Sequence, residues 1–211
     1  MTEAEWLKCD DPVVAFYYMP GRPSDRKLRL FGCACVRRVW QLISNPKRRK
    51  LVEVAEDFAD GLVAETALKT AYDGERGGFT YSQGYWSANE AEITTCLPSA
   101  RDTAAMARDA AQVDYKNWAV ERRKQAAVFR DIVGNPFRPV HIPPDWKAWN
   151  DGTVVKLARA IYEERRYEDL PILADALEEA GCTNEDMLSH CRQPGEHARG
   201  CWVLDLVLDK K

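Results

Sequence analysis

Three cysteines and one histidine near the C-terminal end follow a spacing that can hold a metal ion. Eight residues separate Cys182 from Cys191, five more lead to His197 and three more to Cys201, which gives the pattern C-x8-C-x5-H-x3-C. This spacing matches that of Cys-Cys-Cys-His zinc fingers with the last two ligand types exchanged. Zinc binds four soft or borderline ligands in a tetrahedron, and three thiolates with one imidazole supply them. The pattern predicts a structural zinc site on Cys182, Cys191, His197 and Cys201, with His190 as an alternative nitrogen ligand.

The same cysteines also fit interpretations without a metal. Cys182 directly follows Gly181, and Cys201 lies beside Trp202 in an apolar run, which is typical of small packed cysteines. The chain has no CxxC pair, the stronger zinc signature, so packed reduced thiols are the default interpretation. A weaker interpretation is a thiol nucleophile activated by an imidazole that a carboxylate orients. Its candidates are Cys191 or Cys201, His190 or His197, and Asp205 or Asp175.

Charged residues are distributed in blocks of opposite sign, although the net charge is only −3. Residues 22–50 carry ten basic residues against one acidic residue, and residues 51–115 carry twelve acidic residues against four basic ones. A smaller basic block lies at 122–124. Dense basic segments attract phosphate backbones or acidic protein surfaces. The candidate residues for binding a partner or nucleic acid are Arg26, Arg29, Arg37, Lys47, Arg48, Arg49, Lys50, Arg122, Arg123 and Lys124.

The main interpretation of these blocks is internal neutralisation, in which the basic helix packs against the acidic segment that follows it. At 100° per residue, Arg26, Arg29 and Arg37 lie opposite the apolar stripe of that helix, so we expect them to face solvent. Nucleic-acid binding is the alternative. The acidic net charge and the lack of a helix-turn-helix signature count against a dedicated nucleic-acid binder.

Helical signals dominate the chain and predict an all-α, compact multi-helix fold. Ser24 caps a helix whose apolar residues recur at helical spacing, namely Leu28, Phe31, Cys35, Val39 and Leu42. One long helix is predicted from about 98 to 133, ended by Gly134. A glycine- and aromatic-rich loop at 73–86 either packs its aromatic rings onto the core or forms a binding lip. The predicted organisation is an N-terminal helical part at 1–133, a Pro/Trp-rich loop at 134–150 and a C-terminal helical part at 151–211.

Both ends of the chain resemble one protein family. The stretches that carry the resemblance are EAEWL at 3–7, SDRKLRLF at 24–31, DGTVV at 151–155, AIYEER at 160–165, LADALEEAGC at 173–182, HCR at 190–192, and His197 followed by RGCWV at 199–203. On these residues the chain is similar to an uncharacterised family expanded in planctomycete bacteria. The middle, about 73–108, is unmatched. The resemblance implies a bacterial protein and brings no activity, cofactor or partner with it.

Composition narrows the class of function. The 211 residues are 45% hydrophobic and 30% charged, which is typical of a globular protein. No uncharged apolar run approaches the roughly 18–20 residues of a membrane helix, and the acidic N-terminus is unlike a signal peptide, so we expect a cytoplasmic protein without a membrane partner. P-loop, GxGxxG, HExxH and GxSxG motifs are all missing.

These features favour a non-catalytic helical interaction or regulatory module with a protein partner, in which a zinc ion near the C-terminus is an open alternative to packed thiols. A nucleic-acid-associated accessory protein that binds through residues 22–50 is the second hypothesis. A cysteine-dependent enzyme is the third.

Overall fold

The structure is a computed structural model that describes residues 1–76 and 118–210. Regular secondary structure in these two ranges is entirely helical, which confirms the all-α class. The described residues form ten α-helices: α1 (Glu3–Lys8), α2 (Pro12–Tyr18), α3 (Asp25–Arg37), α4 (Pro46–Ala59), α5 (Glu65–Arg76), α6 (Trp118–Val133), α7 (Pro144–Glu164), α8 (Leu170–Glu179), α9 (Glu185–Arg192) and α10 (Trp202–Val207). None of the helices described is both long and apolar enough to cross a membrane.

The chain divides into two compact units, Met1–Phe129 and Arg130–Lys211. In the first unit, α3 packs against α4 and α4 packs against α5. The Ser24 side chain accepts a hydrogen bond from the Lys27 backbone and begins α3, as predicted. Asn45 and Pro46 begin α4 in the same way, with the Asn45 side chain accepting from the Lys47 backbone.

The predicted apolar stripe of α3 is buried over most of its length. Its first four residues, Leu28, Phe31, Cys35 and Val39, are between 0% and 9% exposed. Leu42, the fifth, is 51% exposed. The stripe fails there because α3 ends at Arg37 and a 3-10 turn at Trp40–Leu42 follows, which breaks the 100° periodicity.

The second unit is built around one apolar core formed by α7, α8, α9 and α10. The predicted loop at 134–150 differs from the structure in its last part, because α7 begins at Pro144. Residues Trp149 to Gly152 then leave helical geometry and kink α7, and its second segment continues from Thr153, where a helix is predicted. Both Trp146 and Trp149 pack against the core, so this region is bound to the second unit.

Two further predictions lie partly outside the described residues. The C-terminal part of the long helix at 98–133 is present as α6, whereas residues 98–117 are outside the described ranges. Residues 73–76 of the glycine- and aromatic-rich loop belong to α5, and residues 77–86 are outside the described ranges.

Gly134 ends α6 at a point where the chain has little space. Its φ is +75°, and its backbone N–H donates to the Arg130 carbonyl at 2.8 Å. A Cβ atom on Gly134 would lie 3.0 Å from the Cγ atom of Trp202. Glycine is therefore required for two reasons, a left-handed backbone and direct contact with an indole ring.

We predict that Gly134→Ala destabilises the second unit by roughly 2–4 kcal/mol, because it adds left-handed strain and overpacking against Trp202. Urea unfolding followed by circular dichroism measures the loss. Gly195→Ala is the matched control, since a Cβ there meets nothing within 4 Å, and it should change the free energy of unfolding by less than about 0.5 kcal/mol. Equal midpoints for the two variants would contradict the assigned role of Gly134.

Candidate metal centre

Four side chains from separate places in the second unit converge on one point. Asp131 lies in the last turn of α6, His190 lies in α9, and Cys201 is the residue that precedes α10. His197 lies in the connection between α9 and α10. One ligand atom of each side chain lies within 4.8 Å of the ligand atoms of the other three.

The shortest contacts in this group join nitrogen to oxygen or sulfur. His197 Nδ1 lies 2.7 Å from Asp131 Oδ1, and His190 Nε2 lies 3.1 Å from the same oxygen. His190 Nε2 also lies 3.2 Å from Cys201 Sγ. The two imidazole rings are 5.0 Å apart between centroids and nearly perpendicular, at 83°. Both rings therefore direct a nitrogen towards the same carboxylate oxygen.

Local structure explains how His190, His197 and Cys201 come together. The Asn184 side chain accepts from the Met187 backbone at 3.0 Å and begins α9, which fixes the direction of His190. A turn then brings the Cys201 backbone N–H to the Ala198 carbonyl at 2.9 Å, directly before α10. This turn holds His197 and Cys201 close to each other.

The second oxygen of Asp131 fastens that turn to α6. Asp131 Oδ2 accepts a hydrogen bond from the Ala198 backbone N–H at 2.9 Å, and the bond is buried. Oδ1 of the same carboxylate faces the two histidines. One carboxylate thus orients the backbone of the connection and supplies a candidate ligand atom, as is common for the carboxylates of metal sites.

Burial and hydrogen bonding act in opposite directions on Asp131. Burial raises the pKa of its carboxyl group, but the hydrogen bonds from His190 and His197 outweigh burial, and the pKa lies below its ordinary value. Ionised Asp131 therefore stabilises the folded state near neutral pH. That contribution is lost as the pH falls through the lowered pKa of the folded state.

Burial has the opposite consequence for the thiol of Cys201. Complete burial, and secondly the negative charge of Asp131, raise the pKa of Cys201 well above its ordinary value. The thiol is therefore protonated near neutral pH when no cation is present. A divalent cation reverses this preference, because it binds the thiolate and displaces the proton.

The donor set fits zinc. Two imidazole nitrogens, one sulfur and one carboxylate oxygen are all ligand types that zinc accepts, and four is the number that a tetrahedral zinc site requires. Ligand atoms around such an ion lie roughly 3.3–3.7 Å apart, given zinc–ligand bonds of about 2.0–2.3 Å. Three of the pairs lie 2.7–3.2 Å apart, which are hydrogen-bond distances, and all four ligand atoms lie within 4.8 Å of one another. A bound ion would therefore replace the shared protons and adjust these separations.

The same geometry argues against a cysteine–histidine–aspartate nucleophile. In such a triad, the thiol and the carboxylate contact opposite nitrogens of the imidazole. Cys201 and Asp131 instead contact the same atom, His190 Nε2. His190 Nδ1 faces Gln193 Nε2, at 3.3 Å.

Asp175 and Asp205, the carboxylates predicted to orient the histidine of a thiol nucleophile, lie outside the group of four side chains. Asp175 is exposed and pairs with Arg192 at 2.8 Å. Asp205 is buried in α10. The group that includes His190 and His197 contains Asp131 in place of either residue.

Two of the four ligands predicted from the spacing belong to the group of four, namely His197 and Cys201. Cys182 and Cys191 are not in this group, and both are buried in the apolar core of the second unit, at 2% and 1% exposure. His190, predicted as an alternative nitrogen ligand, is in the group. His190 and Cys191 are adjacent on α9, about 100° apart around the helix axis, so they point in different directions.

Asp131 is the member of the group that the sequence did not indicate. It is 66 residues before His197 and lies within the predicted long helix, among residues that alternate between core and surface. Its one local signal is its place in the last turn before Gly134, where an acidic side chain is unfavourable for the helix dipole. An acidic residue at that end of a buried helix is an indication of a tertiary partner.

The basic residues predicted to bind a partner lie in the first unit, and several of them pair with acidic side chains of that unit. Arg26 contacts Asp60 at 2.9 Å and Arg37 contacts Glu56 at 2.6 Å. Burial lowers the pKa of Arg37, but the hydrogen bonds to Glu56 outweigh burial and the net shift is upward. These pairs support the interpretation that α3 and the segment after it neutralise each other.

The expectation that Arg29 faces solvent is wrong. Arg29 is 3% exposed, and its guanidinium lies 5.1 Å from the ring centroid of Phe58. Arg26 and Arg37, which were expected to be exposed with it, are half-buried. The helix wheel placed all three correctly opposite the apolar stripe, but α4 and the residue after it cover this face too, through Phe58, Glu56 and Asp60.

The other candidate binding residues have varied surroundings. Arg49 donates to the backbone carbonyls of Ile43 and Trp40, and Lys50 pairs with Glu53 at 3.0 Å. Lys47 and Lys124 are exposed and Arg48 is half-buried. In α6, Arg122 contacts Asp11 at 2.9 Å and Arg123 contacts Asp10 at 3.1 Å. Binding of a partner by this set stays a prediction.

Comparison of the chain with protein-family models, with curated proteins and with solved structures finds no match in any of the three. The resemblance to the planctomycete family stays a prediction. Function is therefore inferred from the geometry of the four converging side chains.

We predict that Arg37→Met destabilises the first unit by about 2–4 kcal/mol, because it leaves the buried carboxylate of Glu56 without its guanidinium partner. The double variant Arg37→Met/Glu56→Leu should recover most of that loss in a urea titration. Lys50→Met removes an exposed pair and should cost less than about 0.5 kcal/mol. A loss in Arg37→Met no larger than that in Lys50→Met would contradict the importance of the buried pair.

We predict that Cys191 and Cys201 react slowly with iodoacetamide in the folded protein. Burial raises the pKa of Cys191 to about 12, so only about one molecule in 10⁴ carries its thiolate near pH 8. Peptide mapping by mass spectrometry should show labelling of half-buried Cys9 first and labelling of Cys191 and Cys201 only in urea. Rapid labelling of either buried thiol near neutral pH would support the enzyme hypothesis.

Proposed function

We propose that this protein is a non-catalytic helical interaction or regulatory module of the bacterial cytoplasm, whose C-terminal unit is held together by one structural zinc ion. The observation that carries the proposal is the convergence of Asp131, His190, His197 and Cys201, with four ligand atoms within 4.8 Å of one another. The proposed ligand set replaces Cys182 and Cys191 of the spacing-based prediction with Asp131 and His190.

Zinc is favoured over the hard cations by the chemistry of the donors. Magnesium and calcium prefer sites made mainly of oxygen atoms, whereas this group offers one carboxylate, two imidazoles and a thiol. Imidazole and thiolate together are typical of zinc. The described cysteines are free thiols, which agrees with a reducing compartment, where a thiolate ligand persists.

A structural role is favoured over a catalytic one because the four ligands are enclosed. Asp131, His190 and Cys201 are 4%, 9% and 0% exposed, and the side chain of His197 is 6% exposed. A catalytic zinc site keeps one position open for water or substrate, whereas a structural site is closed by four protein ligands. The zinc would link the end of α6, the middle of α9 and the start of α10.

We predict that untagged protein purified without chelator contains about one zinc per chain by elemental analysis. At a free zinc concentration about 1,000 times the dissociation constant, binding adds roughly 4 kcal/mol to the free energy of unfolding. Chelation should therefore lower the melting temperature, and zinc alone should restore it.

Two cysteine variants test which residues are the ligands. Cys201→Ser should lose the zinc and the stabilisation that zinc provides, whereas Cys191→Ser is the matched control and should keep both, because Cys191 is not in the group of four. Asp131→Asn should behave like Cys201→Ser. Wild-type protein without zinc would overturn the proposal. Loss of zinc in both Cys191→Ser and Cys201→Ser, with zinc retained in Asp131→Asn, would restore the spacing-based ligand set.

A further inference from the structure

The side chain of Gln193 contacts His190 on the ring nitrogen that faces away from the other ligands. Gln193 Nε2 lies 3.3 Å from His190 Nδ1. The contact follows from local structure, because Gln193 is the residue that ends α9 and its backbone N–H donates to the Ser189 carbonyl at 2.8 Å. It is three residues after His190, so both side chains lie on the same side of the helix.

The contacts of His190 define which nitrogen carries its proton when no metal is bound. The carboxylate of Asp131 only accepts hydrogen bonds, and its Oδ1 lies 3.1 Å from His190 Nε2. Nε2 therefore carries the proton and donates it to Asp131. The lone pair of Nδ1 then accepts a hydrogen bond from the amide N–H of Gln193, which agrees with the observed contact.

Binding of a metal through His190 Nε2 requires the other tautomer. The nitrogen that binds a metal must present its lone pair, so the proton of a neutral ring has to be on Nδ1. One proton leaves Nε2 for solvent, another is taken up from solvent at Nδ1, and the ring is neutral before and after. The Nδ1–H group then needs an acceptor instead of a donor.

We infer that Gln193 is the positioning residue that lets His190 change tautomer between the metal-free and the metal-bound state. A glutamine side chain carries a donor and an acceptor on one carbon, and a rotation of its amide group by about 180° exchanges them. Gln193 thus donates to Nδ1 in the metal-free protein and accepts from Nδ1–H through Oε1 in the metal-bound protein. The inference rests on the proposed zinc site and assigns its outer hydrogen-bond partner, a kind of residue that tunes metal affinity.

Two substitutions at Gln193 separate hydrogen bonding from side-chain bulk. Gln193→Met keeps the length of the side chain and removes both donor and acceptor. It should raise the dissociation constant for zinc roughly 10–100-fold, which is the usual effect of losing an outer-shell hydrogen-bond partner. Gln193→Glu keeps an acceptor for Nδ1–H and should bind zinc within about threefold of wild type. Rescue by the glutamate is an effect that a merely structural role would not produce.

The affinities are measured by competition of the full-length protein with a chromophoric chelator, with zinc as the only added metal. Gln41→Met is the matched control, since Gln41 is an exposed glutamine of the first unit and its replacement should leave the affinity unchanged. The melting temperature of the metal-free Gln193→Met protein should lie only slightly below that of wild type. The substitution removes one part-buried side-chain hydrogen bond, whereas the hydrogen bond that ends α9 uses the backbone.

Nuclear magnetic resonance of the ¹⁵N-labelled imidazole rings reads the tautomer directly. In wild type, the His190 proton should be on Nε2 without zinc and on Nδ1 with zinc. The inference is overturned if Gln193→Met binds zinc within about twofold of wild type, or if the proton stays on one nitrogen in both states. Wild type that binds no zinc overturns the zinc proposal itself, and the inference with it, so the wild-type titration separates the two failures.

Discussion

A carboxylate that is removed from water must be surrounded by proton donors, and Asp131 meets this constraint with three groups, one from α9 and two from the connection between α9 and α10. It is 4% exposed, yet its pKa lies below the ordinary value, because His190 and His197 donate to it strongly enough to outweigh burial. The Ala198 backbone N–H satisfies its second oxygen. Within the second unit, this one group joins the last turn of α6 to α9 and to the connection before α10.

The same constraint brings together the side chains that could bind a metal ion. Hydrogen bonds that hold the buried carboxylate ionised also place two imidazole nitrogens beside it, and one of these nitrogens, His190 Nε2, contacts the Cys201 sulfur. All four ligand atoms lie within 4.8 Å of one another. Burial and the negative charge of Asp131 disfavour the thiolate of Cys201, and a cation bound between the two groups would favour it. A bound divalent ion would satisfy the negative charge of Asp131 and the latent charge of Cys201 together.

In the first unit, carboxylates pair directly with guanidinium groups and not with imidazoles. There two basic residues of α3 contact carboxylates at or just after α4, as Arg37 pairs with Glu56 and Arg26 pairs with Asp60. Direct pairing leaves less of the basic segment available for phosphate groups than its composition indicates. Arg29 is also buried, and its guanidinium lies against the ring of Phe58.

The sequence by itself determined the helical class and several helix ends, since the caps at Ser24 and Asn45 and the stop at Gly134 depend on hydrogen bonds and sterics within a few residues. It did not determine that α3 ends at Arg37 or that α7 begins at Pro144. It also indicated His197 and Cys201, which one short turn holds together. Only the tertiary structure decided the remaining ligands. Asp131 comes from a helix distant in sequence, and the choice of His190 over its neighbour Cys191 depends on which side of α9 faces α6, because ligand convergence is set by helix packing and leaves no local pattern in the chain.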